Sequence, residues 1–313
     1  MKIAVTGGAG FIGSRLSQRL IAEGHKVYII DSFHPYYPPE RKERQLRNAE
    51  GFEEFHPIDL LDSEKTLTII KRISPDTVIH MAALPGVAYS IEKPLKYVDY
   101  DIKATINVLE AAGKAGASHV IFASSSSVYG NQEGPSKEEQ ATGRVISPYA
   151  ASKFSAESFC HVYEQLYGFR TTILRFFTVY GPWVRPDMAI GQFLKKLVNN
   201  EEITLYGEGR MRDFTYIDDI VEGIYLSLTK HNESEIFNLG NGIPVTMAAL
   251  LEELKKFFPR MSVAREGEKA GDVLQTWADI SKAERLLGYS PQVPFGKGLA
   301  ETVKWALEHE RYL

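Results

Sequence analysis

A single cysteine, Cys160, stands in a chain of 313 residues. That excludes an internal disulfide framework and fits a reducing compartment, so the cytoplasm is the expected location. No apolar run approaches the roughly 20 residues that a membrane-spanning helix needs. The first apolar segment gives way to glycine at Gly7, too early for the core of a signal peptide. Basic residues hold no excess, since 36 Lys and Arg face 40 Asp and Glu, and the net charge of -4 leaves no footprint for nucleic acid. The 8 histidines show no paired ligand spacing, so no metal is expected. Internal repeats and low-complexity tracts are missing as well. What remains, 44% hydrophobic and 24% charged, is a globular composition with enough chain for a large α/β domain and a smaller one.

The N-terminus carries the clearest pattern. Lys2 to Thr6 reads as a short apolar strand, the glycine-rich turn GGAGFIG follows, and the helical periodicity of 11–22 leads into a second apolar strand at 26–30. Gly7 and Gly10 permit a tight turn and close approach of the backbone to a pyrophosphate, while Gly13 lets the helix pack on the sheet. Phe11 and Ile12 open that helix, whose free amides attract phosphate. Asp31 ends the second strand, where a carboxylate can accept hydrogen bonds from a ribose diol and repels an added 2′-phosphate. NAD is therefore the expected cofactor, in preference to NADP.

Further along, apolar strands at 77–80, 120–123 and 171–176 alternate with longer periodic stretches. Such alternation predicts a doubly wound parallel α/β sheet of Rossmann type, covered by helices on both faces. The stretch 32–51, rich in proline, tyrosine and charge, reads as a solvated loop with a short helix. Beyond Tyr180 the regular alternation lapses, with Pro182, Pro186, Gly207 and Gly209 as punctuation. The expected organisation is a cofactor domain over 1–180, rejoined by a helical run at 214–230 and a strand at 236–239 within about 214–240. A smaller substrate lobe of α/β type would occupy most of 181–313.

Tyr149 and Lys153 are four residues apart in the segment SPYAASK, after the serine run 124–127. On a helix that spacing puts both on one face. An ammonium beside a phenol favours the phenolate, so Tyr149 is a candidate acid/base with its pKa expected to fall. Tyr-x-x-x-Lys also occurs on ordinary solvated helices, and the spacing gains meaning only beside the nucleotide motif.

Together with Ser125, Tyr149, Lys153 and the glycine-rich start, the segments RFFTVYGPW (175–183) and RDFTYIDD (212–219) resemble the extended short-chain dehydrogenase/reductase family over essentially the whole chain. The stretches FTVYGPWVRPDM (177–188) and DSFHPYY (31–37) are most similar to the nucleotide-sugar 4-epimerase branch, and within it to the UDP-glucuronate 4-epimerases. The resemblance implies an isomerase that uses bound NAD to oxidise carbon 4 of a UDP-sugar transiently. Tyr149 would act on the 4-hydroxyl, Ser125 would hold the same oxygen, and Lys153 would keep the tyrosine ionised and bind the nicotinamide ribose. Asp59 and Leu60 would meet the adenine, and Ala82 and Ala83 would pack on the adenosine. His80 reads as structural. Related dehydratases carry an Asp-Glu pair where this chain has Ser126 and Ser127, and related decarboxylases a glutamate at 127, so epimerisation is the implied outcome.

For the substrate, the resemblance implies Val87, Ser126, Ser127 and Thr178 around the sugar. Arg185 either completes a carboxylate pocket or is a surface charge. Arg212 would pair with the diphosphate, Asp272 would bind the uridine ribose, and Tyr206 would either line the uracil pocket or belong to the core. Lys269 stands where relatives often have arginine, a point charge in place of a fork. Asp101, Ala104 and Ala88 depart from the family's usual Asn, Gly and Arg near the sugar. The helices around 97–112 and 148–167 carry apolar residues on more than one face, and relatives pair them across a two-fold axis. A homodimer is expected. UDP-glucose or UDP-N-acetylglucosamine are the alternative substrates, and a non-catalytic NAD-responsive binding protein is the alternative of another class.

Overall fold

The computed structural model describes residues 1–207, 209–267 and 271–313. Seven strands form a single parallel sheet: β1 (Lys2–Thr6), β2 (Lys26–Ile30), β3 (Glu54–His56), β4 (Thr77–His80), β5 (His119–Ser125), β6 (Arg170–Phe176) and, after four shorter strands, β11 (Glu235–Leu239). The order across the sheet is β11-β6-β5-β4-β1-β2-β3. The chain winds one way from β1 to β3 and the other way from β4 onward. The switch therefore lies between β1 and β4, where α/β sheets bind ligands beyond the carboxyl ends of their strands. β3 has no counterpart among the expected strands, because three residues, two of them polar, give no apolar run.

Helices α1 (Phe11–Ala22), α2 (Pro39–Asn48), α3 (Ser63–Ile73), α4 (Val87–Glu92), α5 (Pro94–Tyr97), α6 (Ala104–Lys114) and α7 (Pro148–Tyr167) accompany these strands. A π-helical turn, Val98–Lys103, joins α5 to α6. The central strands bury nearly every side chain, which is why they read as continuous apolar runs. One core cluster lies between the sheet and the α3, α6 and α7 side, including Ile30, Val78, Val108, Phe122 and Ile173. A larger one runs from Ile3, Val5 and Leu16 without a break into the C-terminal part, through Phe193, Leu205, Leu250 and Trp305.

The segment expected as one helical run at 214–230 is a strand followed by a helix. β10 (Phe214–Tyr216) pairs in parallel with β7 (Thr178–Tyr180), and α9 (Ile217–Thr229) follows. Between them stand α8 (Ala189–Val198), β8 (Ile203–Tyr206) and β9 (Met211–Arg212). β12 (Val245–Thr246), α10 (Met247–Lys255), β13 (Val263–Glu266), α11 (Ser281–Leu287) and α12 (Phe295–Glu308) complete the chain. β13 pairs with β8 and β12 with β9, so this part is held by two small ribbons and not by the main sheet. Among the described residues, no helix is long and apolar enough to cross a membrane.

Candidate active site

Backbone makes the first cavity. Gly7 adopts φ +68°, and a Cβ there would lie 2.7 Å from Ala82 N. At Gly13 an added Cβ would come 2.1 Å from Gly7 O, so only glycine lets the turn fold onto α1. The helix starts at Gly10 with no side-chain cap, which leaves its first amides for a ligand. The groove is lined by the predicted Gly7, Gly10, Phe11, Ile12, Gly13, Asp31, Asp59, Leu60, Ala82, Ala83, Tyr149 and Lys153. A close backbone turn, free helix amides and a buried acid at the far end fit NAD.

That acid is tied into its surroundings. Asp31 accepts from Ala9 N at 3.2 Å, from Phe33 N at 2.9 Å and from Lys42 Nζ at 3.2 Å. Lys42 belongs to α2, in the stretch expected to be solvated. The short helix is there, but Arg41, Lys42 and Gln45 are buried, and His34, Tyr36, Tyr37 and Lys42 line the groove. Burial pushes the Tyr37 phenol up to about 12. The segment covers the cofactor site because its charges find internal partners, which hydropathy alone does not register.

His80 lies beneath the site as a structural residue. Its ring bonds Thr6 Oγ1 at 2.6 Å and Thr105 Oγ1 at 3.0 Å, and burial lowers its pKa to about 3, so it stays neutral.

The predicted Tyr149 and Lys153 stand at the head of α7. Ser147 caps this helix by accepting from Ala150 N at 3.2 Å, and Pro148 occupies its first turn. Lys153 lies on the buried face and donates to Ala123 O at 2.9 Å. Burial lowers its pKa, and nearby Asp101 opposes that shift. The Tyr149 phenol is raised, contrary to the expected fall: desolvation of the phenolate is the largest influence, with the Ser125 hydrogen bond and the Arg185 charge pulling the other way.

Ser125 ends β5 and caps the short turn after it, accepting from Ser127 N at 3.2 Å. Ser124 points into the protein and donates to Glu157, which holds Arg175 through bonds of 2.7 and 3.0 Å. This buried ion pair joins β6 to α7, and the Ser124 bond ties the end of β5 to the same carboxylate. Among the described residues the buried Ser127 Oγ has no hydrogen-bond partner, an unusual state for a hydroxyl and a reason for a polar ligand at this point.

A second cavity adjoins the first and shares Tyr149, Phe11, Ile12 and Arg185 with it. The predicted Val87, Ser125, Ser126, Ser127, Thr178, Arg185, Tyr206, Arg212 and Asp272 all line it. Lys269 lies outside the described residues. Arg185 is therefore no plain surface charge: it is held by Asp187 through two bonds of 3.1 Å and faces both cavities.

Asp272 is clasped by two arginines. Arg212 Nη2 lies 2.6 Å from Oδ1 and Arg210 Nη1 2.9 Å from Oδ2. Sequence reasoning passed over Arg210, although its spacing of two from Arg212 puts both on one side of an extended segment. Gly207 makes its placement possible, for an added Cβ would sit 2.3 Å from Arg210 Nε. Asp187, Tyr36 and Lys42 were missed too. The π-helical turn gives Asp101 its place behind the site, where its carboxylate accepts from Leu84 N and Ser152 Oγ, each at 2.8 Å. Burial raises its pKa to about 6.

Comparison with known proteins agrees with this geometry. A UDP-glucuronate 4-epimerase of Thermodesulfobacterium geofontis is 40% identical over 97% of this chain and 96% of its own. The crystal structure of UDP-glucuronic acid 4-epimerase from Bacillus cereus, in complex with UDP-glucuronic acid and NAD, is 36% identical with a TM-score of 0.92, covering 98% of this chain and 99% of that one. UDP-glucose 4-epimerase of Thermotoga maritima, solved with UDP-glucose, is 31% identical with a TM-score of 0.90, covering 99% of this chain and all of that one. The profile of the NAD dependent epimerase/dehydratase family matches residues 3–240, and the chain belongs to that family.

Proposed function

We propose that this chain is an NAD-dependent isomerase that interconverts UDP-glucuronate and UDP-galacturonate by epimerising carbon 4. The observation that carries this reading is Tyr149, the phenol shared by a dinucleotide groove and a second cavity whose inner end offers serine and threonine hydroxyls and one guanidinium. In the groove, Gly7, Gly10 and Gly13 receive the pyrophosphate and Asp31 the adenosine ribose, with Asp59, Leu60, Ala82 and Ala83 beside the adenine. Bound there, NAD supplies reversible acceptance of a hydride from carbon 4.

Tyr149 takes the proton of the 4-hydroxyl and later returns it, and Ser125 holds the same oxygen by a hydrogen bond. Burial raises the phenol, so ionising it needs a compensating positive field; Lys153 on the same helix face would supply part of it and a bound NAD would add its own positive charge. The 4-keto sugar then presents its other face. Net oxidation is zero, so the cofactor remains bound between turnovers.

A 4-keto uronate is a β-keto acid, and it loses carbon dioxide when its carboxylate lies perpendicular to the carbonyl plane. Ser126, Ser127 and Thr178 donate hydrogen bonds that hold the carboxylate away from that alignment, and Arg185 completes the pocket with a charge-assisted bond. None of these groups is an acid able to protonate a departing hydroxyl near neutral pH, which separates this site from elimination chemistry. At the other end, Arg212 pairs with the diphosphate, Asp272 with the uridine ribose, and Tyr206 lies along the base. Residues 1–180, with the return of 214–240, carry the cofactor, and most nucleotide-sugar contacts come from 181–313.

The working assembly is a homodimer in the cytoplasm. Leu95, 76% exposed, and Leu166, 66% exposed, put large apolar surface on α5 and α7, where a partner's helices would cover it.

The test is incubation with UDP-glucuronate, UDP-glucose and UDP-N-acetylglucosamine, with products resolved by NMR. Turnover of the uronate alone, or far faster than the other two, is the expected result. Preference for a neutral sugar would replace the substrate, and no turnover with NAD bound would favour a binding protein. Arg185→Ala should release 4-keto-pentose and carbon dioxide as by-products; unchanged rate and products would remove Arg185 from the carboxylate pocket.

A further inference from the structure

Among the described residues, Arg185 carries the one positive charge proposed for the sugar end of the pocket, and its guanidinium is already engaged. Nε and Nη2 each lie 3.1 Å from one oxygen of Asp187, two residues along the same turn. Among the described residues Nη1 takes no hydrogen bond, so one edge of the fork is fixed and the other remains for a ligand. Asp187 is held in turn: Tyr36 donates to its Oδ2 at 3.3 Å. Tyr36 belongs to the segment after β2 that lines the cofactor groove, whereas Asp187 lines the sugar pocket.

The same segment grips the backbone of the Arg185 turn. Buried Arg41 donates to the carbonyls of Trp183 and Val184 and to that of Tyr312 near the C-terminus. Its guanidinium lies 5.8 Å from the Trp183 ring centre and 5.5 Å from that of Trp305. Space for Tyr36 is made by Gly86, where an added Cβ would stand 2.5 Å from the tyrosine oxygen. One side-chain bond and one set of backbone bonds, both from residues 36–41, thus set where the guanidinium sits.

We infer that Asp187 is a positioning residue for Arg185, and that Tyr36 makes the cofactor-covering segment part of the device that reads the sugar carboxylate. This rests on the uronate reading above. A guanidinium swings on a long flexible stem, and fixing one edge removes much of the entropy that binding a carboxylate would otherwise cost. Asp187 also balances the cation before substrate arrives. A neutral hexose makes no such demand.

The experiment compares wild type, Asp187→Asn and Tyr36→Phe in steady-state turnover of UDP-glucuronate, with UDP affinity, bound NAD and thermal midpoint measured alongside. A displaced catalytic or binding group costs up to about a hundredfold. Asp187→Asn should raise KM for UDP-glucuronate about tenfold, with kcat within about twofold and UDP affinity unchanged. Tyr36→Phe should move KM the same way by less. The inference is overturned if KM is unchanged in both variants, or if UDP affinity and NAD content fall in step with it, as general loosening would produce. Absence of wild-type turnover on UDP-glucuronate would refute the substrate reading and this inference with it, whereas wild-type turnover with indifferent variants refutes the inference alone. Should Asp187→Asn not fold, Tyr36→Phe, which removes one partly exposed hydroxyl bond, decides the matter.

Discussion

The two halves of the active site are built by different means. The cofactor groove is made chiefly of backbone: three glycines, free helix amides and one buried acid, most of it within the first 31 residues. The sugar pocket is made of side chains from separate stretches, around residues 87, 125–127, 178–187 and 206–212, and near Asp272. A groove made of main chain binds the same dinucleotide on many sequences. A pocket made of side chains can change its substrate by a few substitutions. Tyr149 belongs to both.

Three substitutions test this contrast. Tyr149→Phe removes the proposed proton carrier and should lower turnover by about 10²- to 10⁴-fold with NAD and UDP still bound; the check is single-turnover kinetics beside a cofactor count. Gly13→Ala attacks main chain alone. Its added Cβ meets Gly7 O at 2.1 Å, an overpacking cost of about 1–3 kcal/mol. It should strip NAD from the purified protein while UDP still binds, and a normal NAD content would show that the turn yields more easily than its geometry implies.

Asp101→Asn should have the smallest effect. The carboxylate raises both Tyr149 and Lys153, so neutralising it should shift the whole pH profile of kcat/KM to lower pH. Stability carries its own sign. Asp101 has a folded pKa of about 6 against an ordinary 3.8, so its folded form favours the proton. The wild type therefore loses stability as pH rises through that window, and the variant should lack that slope. Thermal midpoints between pH 4 and 7 check the second effect and initial rates check the first.

The groove was legible because a phosphate-binding turn is written in consecutive glycines, and the strands β1, β2 and β4 that hold it are continuous apolar runs. That Tyr149, Lys153 and Ser125 line adjoining cavities was legible through spacing and family resemblance. The cover of the groove was not. Most of α2 is charged, and Arg41 and Lys42 are buried only because carbonyls of residues 183, 184 and 312 and the carboxylate of Asp31 wait for them. Partners so distant in the chain leave no local pattern. Arg210 escaped for a similar reason, since the Asp272 and Val273 carbonyls that receive it lie about sixty residues away. Tyr149 illustrates the other limit: helical spacing put a cation near the phenol, but only the fold revealed a desolvation large enough to reverse the sign of the shift.

The most direct test of the account uses UDP-glucuronate deuterated at carbon 4, followed by NMR through conversion. The account predicts UDP-galacturonate with the deuterium still on carbon 4 and the carboxylate intact, because what leaves that carbon never reaches solvent. Loss of the label to water, or a pentose product, would contradict it.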